Sequence, residues 1–449
     1  MKITMIGAGY VGLVSGGCFA DIGHAVTCVD RDEAKLEALR RGQIPIYEPG
    51  LEAIVHDNMQ AGRLQFTADL AAAVADADAV FIAVGTPSRA GDGLADLTHV
   101  YAVAREIAPH LTGHTVVVTK STVPVGTGDE IGRVIAKENP AADVAVVSNP
   151  EFLREGSAIG DFMQPDRVVI GTDDARARCV MHDIYAPLNL DDDRILMMSR
   201  RTAELTKYAG NSFLAMKVTF INEIADLCEK VGADVLDVAR GIGMDERIGR
   251  KFLQAGPGIG GSCFPKDTLA LVKTAHDADS PVRLVETTVT VNDQRKRAMA
   301  KKVIRACGGT VRGKTIAILG LTFKPDTDDV RESPAIPIIT ALQDAGARIR
   351  AFDPEGTEQA QTILKNIAYC EDAYDAAAGA DALVIVTEWG VFRDLDLARL
   401  KQTMAAPVMV DLRNIYDAAT VRVAGISYTG IGRSDGTDRR SLVLHQAAE

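Results

Sequence analysis

The chain opens with short, unbroken apolar runs, the pattern of parallel strands covered on both faces. Lys2–Ile6, Ala25–Val29, Ala79–Val84, Val116–Thr119 and Val144–Val147 read as such strands, with a helix between the first two running through Ala20. A second set follows residue 310: strands at Thr315–Leu319, Arg348–Phe352, Leu383–Val386 and Val408–Val410, and a helix over Ala335–Ala345. Ala77–Val84 is similar to Ala380–Val386 in sequence, so the two ends of the chain read as similar units. Between them the period becomes helical. Leu205, Tyr208, Met216, Phe220, Ile224, Leu227 and Val231 recur every three or four residues over Ser199–Val231, with a break at Ser212 and a stop at Gly232. Glu204, Lys207 and Asn211 form a second, polar stripe at the same spacing; such stripes are usually solvated, but Lys207 and Asn211 lie within an otherwise apolar segment, which makes a site role for these two a reading beside solvation. Another long helix is expected from Ser280-Pro281, serine capping and proline in the first turn, to Cys307. The predicted fold is α/β: two doubly wound Rossmann-like domains, 1–198 and 310–449, joined by an all-α middle domain with long helices, 199–309. The long helices suit that middle domain to dimerisation.

Three consecutive strands of the first half end in polar residues followed by proline: Gly85-Thr86-Pro87, Lys120-Ser121-Thr122-Val123-Pro124 and Ser148-Asn149-Pro150-Glu151. Turn chemistry explains one such ending. Three at one sheet edge predict a binding crevice. The first strand runs directly into Gly7-Ala8-Gly9-Tyr10-Val11-Gly12 and a helix, and the second ends at Asp30. This is a dinucleotide fingerprint in its proper context. Gly7 permits the tight turn, Gly9 the approach of a pyrophosphate and Gly12 helix–strand packing, with the helix N-terminus facing the phosphates. Asp30 suits ribose hydroxyls and favours NAD over NADP, a preference weakened by Arg31. Glu151 and Glu155 would share a face if their segment were helical, and a solvated acidic face accounts for that spacing equally well. Ile44–Gly50 reads as a proline-stiffened loop. In the second α/β unit the glycines are replaced by Thr322-Phe323-Lys324-Pro325-Asp326-Thr327, and Asp411-Leu412-Arg413 adds a cation. Both suit phosphate contacts by side chain. The tail after Thr429 reads as poorly ordered.

The stretch Gly256-Pro257-Gly258-Ile259-Gly260-Gly261-Ser262-Cys263-Phe264-Pro265-Lys266-Asp267 places a thiol, an ammonium and a carboxylate at the end of a glycine-rich loop. A thiolate is a strong nucleophile and a neighbouring cation favours it. The seven cysteines (Cys18, Cys28, Cys179, Cys228, Cys263, Cys307 and Cys370) are scattered, with no metal-binding spacing, so no metal is expected. Only Cys263 has a setting that predicts reactivity. The net charge of −12 argues against a nucleic-acid partner. No apolar run is long enough to span a bilayer, and Met1-Lys2-Ile3-Thr4 lacks signal-peptide character. A cytoplasmic protein without membrane partners is expected.

These motifs, in this order, resemble the UDP-glucose/GDP-mannose dehydrogenase family over nearly the whole chain. The resemblance rests on Gly7–Gly12, Gly85–Pro87, Ser121–Pro124, Asn149–Gly156, Glu204–Asn211, Asp245–Gly249, Gly256–Asp267 and Phe323–Ser333. It implies oxidation of C6 of a nucleotide sugar, UDP-glucose, from alcohol to acid with two NAD. Gly7, Gly9, Tyr10, Val11, Gly12, Asp30, Lys35, Thr86, Pro87, Ser121, Thr122, Glu155, Lys266 and Arg331 are then the implied cofactor-binding residues. Glu151, Phe152, Leu153, Glu155, Lys207, Asn211, Arg247, Gln254, Gly258, Gly260, Phe323, Lys324 and Arg413 are implied for the substrate, Arg247 reaching in from the neighbouring subunit of a homodimer. Cys263 is the implied nucleophile, holding the aldehyde as a thiohemiacetal and then a thioester. Lys207 and Asn211 stabilise oxyanions, Thr122 and Asp267 hold a water acting as base, and Glu151 activates the hydrolytic water. Competing readings are a GDP-mannose or UDP-N-acetylmannosamine dehydrogenase, a two-electron hydroxyacid dehydrogenase, and a non-catalytic dinucleotide sensor.

Overall fold

A computed structural model describes residues 1–87, 89 and 95–433. The chain forms two compact units, one of Met1–Gly210 with Leu269–Pro281, the other of Asn211–Thr268 with Val282 onward.

The first unit is built on eight strands: β1 (Lys2–Ile6), β2 (Ala25–Val29), β3 (Leu64–Thr67), β4 (Ala79–Ile82), β5 (Thr115–Thr119), β6 (Val144–Ser148), β7 (Val168–Gly171) and β8 (Ile195–Met198). Their order is β3-β2-β1-β4-β5-β6-β7-β8. Neighbours are parallel except β6 and β7. Alternation along the strands feeds two apolar layers. Phe81, Val116 and Val118 join Phe19 and Met5 on one face. Val80, Ile82 and Val117 join Val103, Ile131 and Ile135 on the other. Because β4, β5 and β6 are adjacent and parallel, their three polar endings share one sheet edge, as the sequence pattern predicts.

The second unit carries β9 (Thr315–Leu319), β10 (Arg348–Phe352), β11 (Ile367–Tyr369), β12 (Ala382–Ile385), β13 (Val408–Asp411) and β14 (Ser427–Thr429). All are parallel, in the order β11-β10-β9-β12-β13-β14. Six strands of the first sheet have the same order, so the predicted similarity of the two ends extends to topology. Ile316, Ile318 and Val384 face a layer that includes Ile221, Ala225, Cys228, Met299 and Val303 from two long helices.

The middle segment is helical: Arg200–Val231, Val235–Gly243, Phe264–Asp277 and Arg283–Ala306. Three details depart from the sequence reading. The apolar stripe of the 32-residue helix Arg200–Val231 is largely its exposed side, with Leu205, Phe220, Leu227 and Val231 open to solvent. Its polar stripe is buried instead: Glu204, Lys207 and Asn211 are 3%, 3% and 7% exposed. Periodicity groups residues onto a face, but here hydrogen-bonding partners decide which face is covered. The last helix starts at Arg283 behind Val282, without a side-chain cap. Ser280 instead donates its amide to the Ala275 carbonyl at 2.8 Å, closing the preceding helix. Beyond Thr429, Ile431 is fully buried and Gly432 lies against Val235, so order continues through Arg433. The remainder of the tail lies outside the described residues.

Candidate active site

In the first unit, the turn after β1 is shaped by contacts that admit no side chain. Gly7 has φ +103° and a Cβ there would lie 2.7 Å from the Ala83 carbonyl oxygen; one on Gly12 would lie 1.8 Å from the Gly7 oxygen. A Cβ on Gly9 would meet nothing within 4 Å, so the backbone is open at that one point. The helix Tyr10–Asp21 begins there, presenting amides at its positive end. Half-buried Asp30 accepts from Ala8 N (2.9 Å), Asp32 N (3.0 Å) and Lys35 Nζ (2.9 Å). Burial raises its pKa, but these donors outweigh burial and hold the carboxyl below its usual range. An open backbone cradle, a helix N-terminus and an ionised acid fit a dinucleotide. Lys35, implied as a cofactor contact, is placed here on Asp30. Thr86 Oγ1 donates to the Thr122 carbonyl (3.1 Å) and Ser121 Oγ to the Val84 carbonyl (2.7 Å), joining the endings of β4 and β5. Pro87 accepts from Asp96 N at 2.7 Å, and Val11 is half-buried in the fingerprint helix.

Next to β6 lies a buried ion pair. Lys207 Nζ donates to the Glu151 carbonyl (2.6 Å) and to Glu151 Oε1 (3.0 Å), and Leu153 N donates to Oε2 (2.6 Å). Burial raises the Glu151 pKa, but the Lys207 charge and these donors prevail and keep it low. Because the carboxylate turns back onto Leu153 N, residues 151–154 are irregular rather than helical. The helical condition under which Glu151 and Glu155 would share a face is therefore not met. The Phe152 ring lies 3.6 Å from the Arg167 guanidinium and 5.2 Å from Lys207 Nζ.

Three groups here escaped the sequence assignment. Arg167 had no local motif to mark it. Lys120, buried, donates to Asn149 Oδ1 and Tyr185 Oη, both at 3.1 Å. Burial pulls its pKa down to about 8. A lysine directly after a strand with an apolar centre, Val116–Val118, was the available signal. Glu204 accepts from Gly126 N (2.6 Å), Gly128 N (2.8 Å) and Ser148 Oγ (3.0 Å), capping the helix Thr127–Glu138. Its place in the polar stripe was legible; its partners, far away in sequence, were not. A cavity of about 10 Å³, room for one water, lies among Thr122, Ser148, Glu204 and Lys207.

In the second unit, Cys263 immediately precedes the helix Phe264–Asp277, and Asp267 N donates to its carbonyl at 2.8 Å. A helix N-terminus favours negative charge, and with it the nucleophilic thiolate. Cys263 is half-buried, with Ser262 Oγ 3.6 Å from Sγ. Burial pushes the Cys18 and Cys28 thiols up to about 12. Asp267, 1% exposed, accepts from Asn211 Nδ2 (2.6 Å) and Lys266 Nζ (2.7 Å). The preceding loop is held by residues the sequence reading did not single out: Asn222 accepts from Gly256 N (2.8 Å), Asn292 from Ile259 N (2.7 Å), and Arg295 Nε donates to the Gly256 carbonyl (2.7 Å). Several of its glycines are needed for packing. A Cβ on Gly260 would lie 2.6 Å from the Glu332 carbonyl oxygen, and one on Gly258 2.9 Å from Lys296.

Other implied residues of this unit cluster after β9. Arg413 donates to the Val386 (2.7 Å) and Phe323 (3.1 Å) carbonyls, and Lys324 Nζ sits 5.4 Å from the Phe323 ring. Arg331 clasps Asp329 while its carbonyl accepts from Gly261 N (2.9 Å). Arg247, paired with Asp245 at 2.6 Å, has an 89% exposed side chain, and Gln254 is also exposed.

Three models of the UDP-glucose/GDP-mannose dehydrogenase family match consecutive parts of the chain: the NAD binding domain over residues 1–189, the central domain over 201–294 and the UDP binding domain over 317–418. The chain is 68% identical over 437 residues to the UDP-glucose 6-dehydrogenase of Rhizobium meliloti, covering 97% of this chain and 100% of that one. It is 46% identical over 443 residues to the UDP-glucose 6-dehydrogenase of Pseudomonas aeruginosa, covering 96% and 98%. Among solved structures, a UDP-glucose dehydrogenase from Pyrobaculum islandicum superposes with a TM-score of 0.89 at 40% identity, covering 96% and 98%. The chain is thus an NAD-dependent oxidoreductase and belongs to the UDP-glucose/GDP-mannose dehydrogenase family.

Proposed function

We propose that this protein oxidises C6 of UDP-glucose to the carboxylate, giving UDP-glucuronate, and that Cys263 carries the sugar between two oxidations. The observation that carries this reading is a half-buried thiol at the start of a helix, with Asp267 held by Asn211 and Lys266 one turn on. The activity named for relatives 68% and 46% identical supports UDP-glucose as the sugar.

When bound, NAD accepts the hydride released by oxidation of an alcohol. The chain's own residues do the rest. Cys263 Sγ adds to the aldehyde carbon, forming a thiohemiacetal and preventing escape of the half-oxidised sugar. Loss of a second hydride leaves a thioester, which water cleaves to the carboxylate with return of the thiolate. Lys207 and Asn211 donate to the oxygen that gains charge in these steps. Thr122 and Asp267 hold the water that takes the first alcohol proton, and Glu151 takes a proton from the hydrolytic water. The low pKa of Glu151 keeps it in the ionised form that this role needs. Gly7–Gly12, Asp30 and Thr86 hold the dinucleotide, and Lys324 and Arg413 the substrate diphosphate.

The working protein is a homodimer organised as domains 1–198, 199–309 and 310–449. The exposed Leu205, Phe213, Phe220 and Leu227 on the long helix support burial against a second copy. Among the described residues no helix is long and apolar enough to cross a membrane. We place the reaction in the cytoplasm, where a reactive thiol stays reduced.

The test is product stoichiometry. Purified protein with limiting UDP-glucose and excess NAD is expected to release two NADH per sugar, with UDP-glucuronate found by mass spectrometry. One NADH per sugar with an aldehyde product would overturn the reading. Faster turnover of GDP-mannose or UDP-N-acetylmannosamine would reassign the substrate.

A further inference from the structure

The loop Ile44–Gly50 lies outside every role assigned above, yet it carries a buried acid in the first unit. Glu48 is 6% exposed. Its Oε2 accepts from Tyr10 Oη and from Gly156 N (2.6 Å), and its Oε1 accepts from Ala158 N (2.8 Å). Gly156 N also reaches Tyr10 Oη at 3.2 Å. Tyr10 is the first helical residue after the cofactor turn. Gly156 follows Glu155 at the end of the segment that begins with Glu151. One carboxylate therefore bonds to both the cofactor turn and the substrate segment. The strut is stiff. Pro45 and Pro49 flank it, Gly50 turns in the left-handed region (φ +86°), and Leu51 is fully buried where the next helix begins. That helix packs on the fingerprint helix, Leu51 and Ile54 lying against Gly17. Burial, then the Glu48 contact and the nearby Glu155 charge, raise the Tyr10 pKa, so its hydroxyl stays protonated as the donor.

We infer that Glu48 is a positioning residue that couples dinucleotide binding at Gly7–Gly12 to nucleotide-sugar binding at Glu151–Glu155, each ligand tightening the other through the Tyr10–Glu48–Gly156 bonds. This deepens the function proposed above and rests on it. A ligand that orders the turn fixes Tyr10, and through Glu48 it fixes the amides of Gly156 and Ala158. The second ligand then meets a segment already ordered, and coupling must be reciprocal.

NADH, which cannot oxidise the sugar, lets both ligands be present without turnover. Its Kd is measured by fluorescence with and without saturating UDP-glucose, in wild type, Glu48→Gln and Tyr10→Phe. Thermal melts of the same samples report folding. In wild type UDP-glucose is expected to tighten NADH at least about fivefold, the low end of ordinary coupling. Glu48→Gln sets its amide donor against one of the two backbone donors, Gly156 N or Ala158 N, and is expected to bring that factor close to one. Tyr10→Phe, which leaves both backbone bonds to Glu48, is expected to reduce it in part and decides the matter if Glu48→Gln does not fold. If both ligands weaken while the coupling factor stays at its wild-type value, Glu48 is merely structural and the inference fails. It fails equally if wild type shows no coupling. Separately, wild type that does not turn over UDP-glucose with NAD would overturn the proposed function itself.

Discussion

The two sheets share a strand order, and each ends its second strand with an aspartate facing the turn after its first strand. They use that acid in opposite ways. Asp30, after β2, accepts from Ala8 N, Asp32 N and Lys35 Nζ and keeps 15% of its side chain exposed. Asp353, after β10, is only 2% exposed. It accepts from Leu321 N (2.6 Å), Thr322 N (3.0 Å), Thr322 Oγ1 (3.1 Å), Trp389 Nε1 (3.3 Å), Glu355 N (3.0 Å) and Gly356 N (2.7 Å). The turns differ to match. After β1 a helix starts within four residues, at Tyr10; after β9 the next helix waits until Ala335. One scaffold thus leaves its acid and helix N-terminus for a ligand, while the other seals the equivalent acid into the protein. Topology alone does not say which end of this chain binds a dinucleotide; the acid's partners do.

The largest effect expected from this contrast lies at the ion pair beside the first sheet. Lys207→Ala should lower kcat by about 10²–10³-fold, the usual cost of losing an oxyanion donor. Lys324→Ala, at the second sheet, should raise KM for UDP-glucose roughly tenfold with kcat nearly unchanged. Steady-state kinetics on both variants separates chemistry from binding, and a change confined to KM in Lys207→Ala would erase the distinction. Next comes Asp353→Ala, which strands several buried donors and should cost about 3–4 kcal/mol in urea unfolding. Asp30→Asn should instead leave stability within about 1 kcal/mol while raising KM for NAD roughly tenfold. Equal stability losses at the two sites would break the comparison.

The smallest effect is a pH slope. Lys120 follows β5, and its pKa is lowered to about 8 by burial. At its counterpart, Asp411 at the end of β13, burial raises the carboxyl pKa. Between pH 8 and the ordinary lysine range, the unfolded chain holds the Lys120 proton more tightly than the folded one. Stability should therefore rise with pH across that window, by up to about 1.4 kcal/mol per pH unit. For Asp411 the folded state holds the proton more tightly, so its contribution falls as pH rises through the folded pKa. Lys120→Met should flatten the alkaline rise, as followed by denaturant titration at several pH values.

Much of this was legible in the residues. Unbroken apolar runs located nine of the fourteen strands among the described residues, missing the short β3, β7, β8, β11 and β14, and the repeated Ala-Asp-Ala segment revealed a second sheet. The fingerprint with Asp30 marked the cofactor turn, and the Cys263 loop stood out by its chemistry. Long-range pairing stayed hidden. Glu204 meets Gly126 and Gly128 across more than seventy residues, and Glu48 meets Gly156 across more than a hundred. No local spacing encodes such contacts. The long helix misled for a related reason: its apolar stripe is mostly exposed in the single chain, while charged residues are buried because each has a partner.

The most direct test of the central claim is the number of NADH released per UDP-glucose by Cys263→Ala beside wild type. Wild type should release two and form the sugar acid, whereas Cys263→Ala should form essentially no acid. Two NADH per sugar from Cys263→Ala at the wild-type rate would contradict covalent capture by this sulfur.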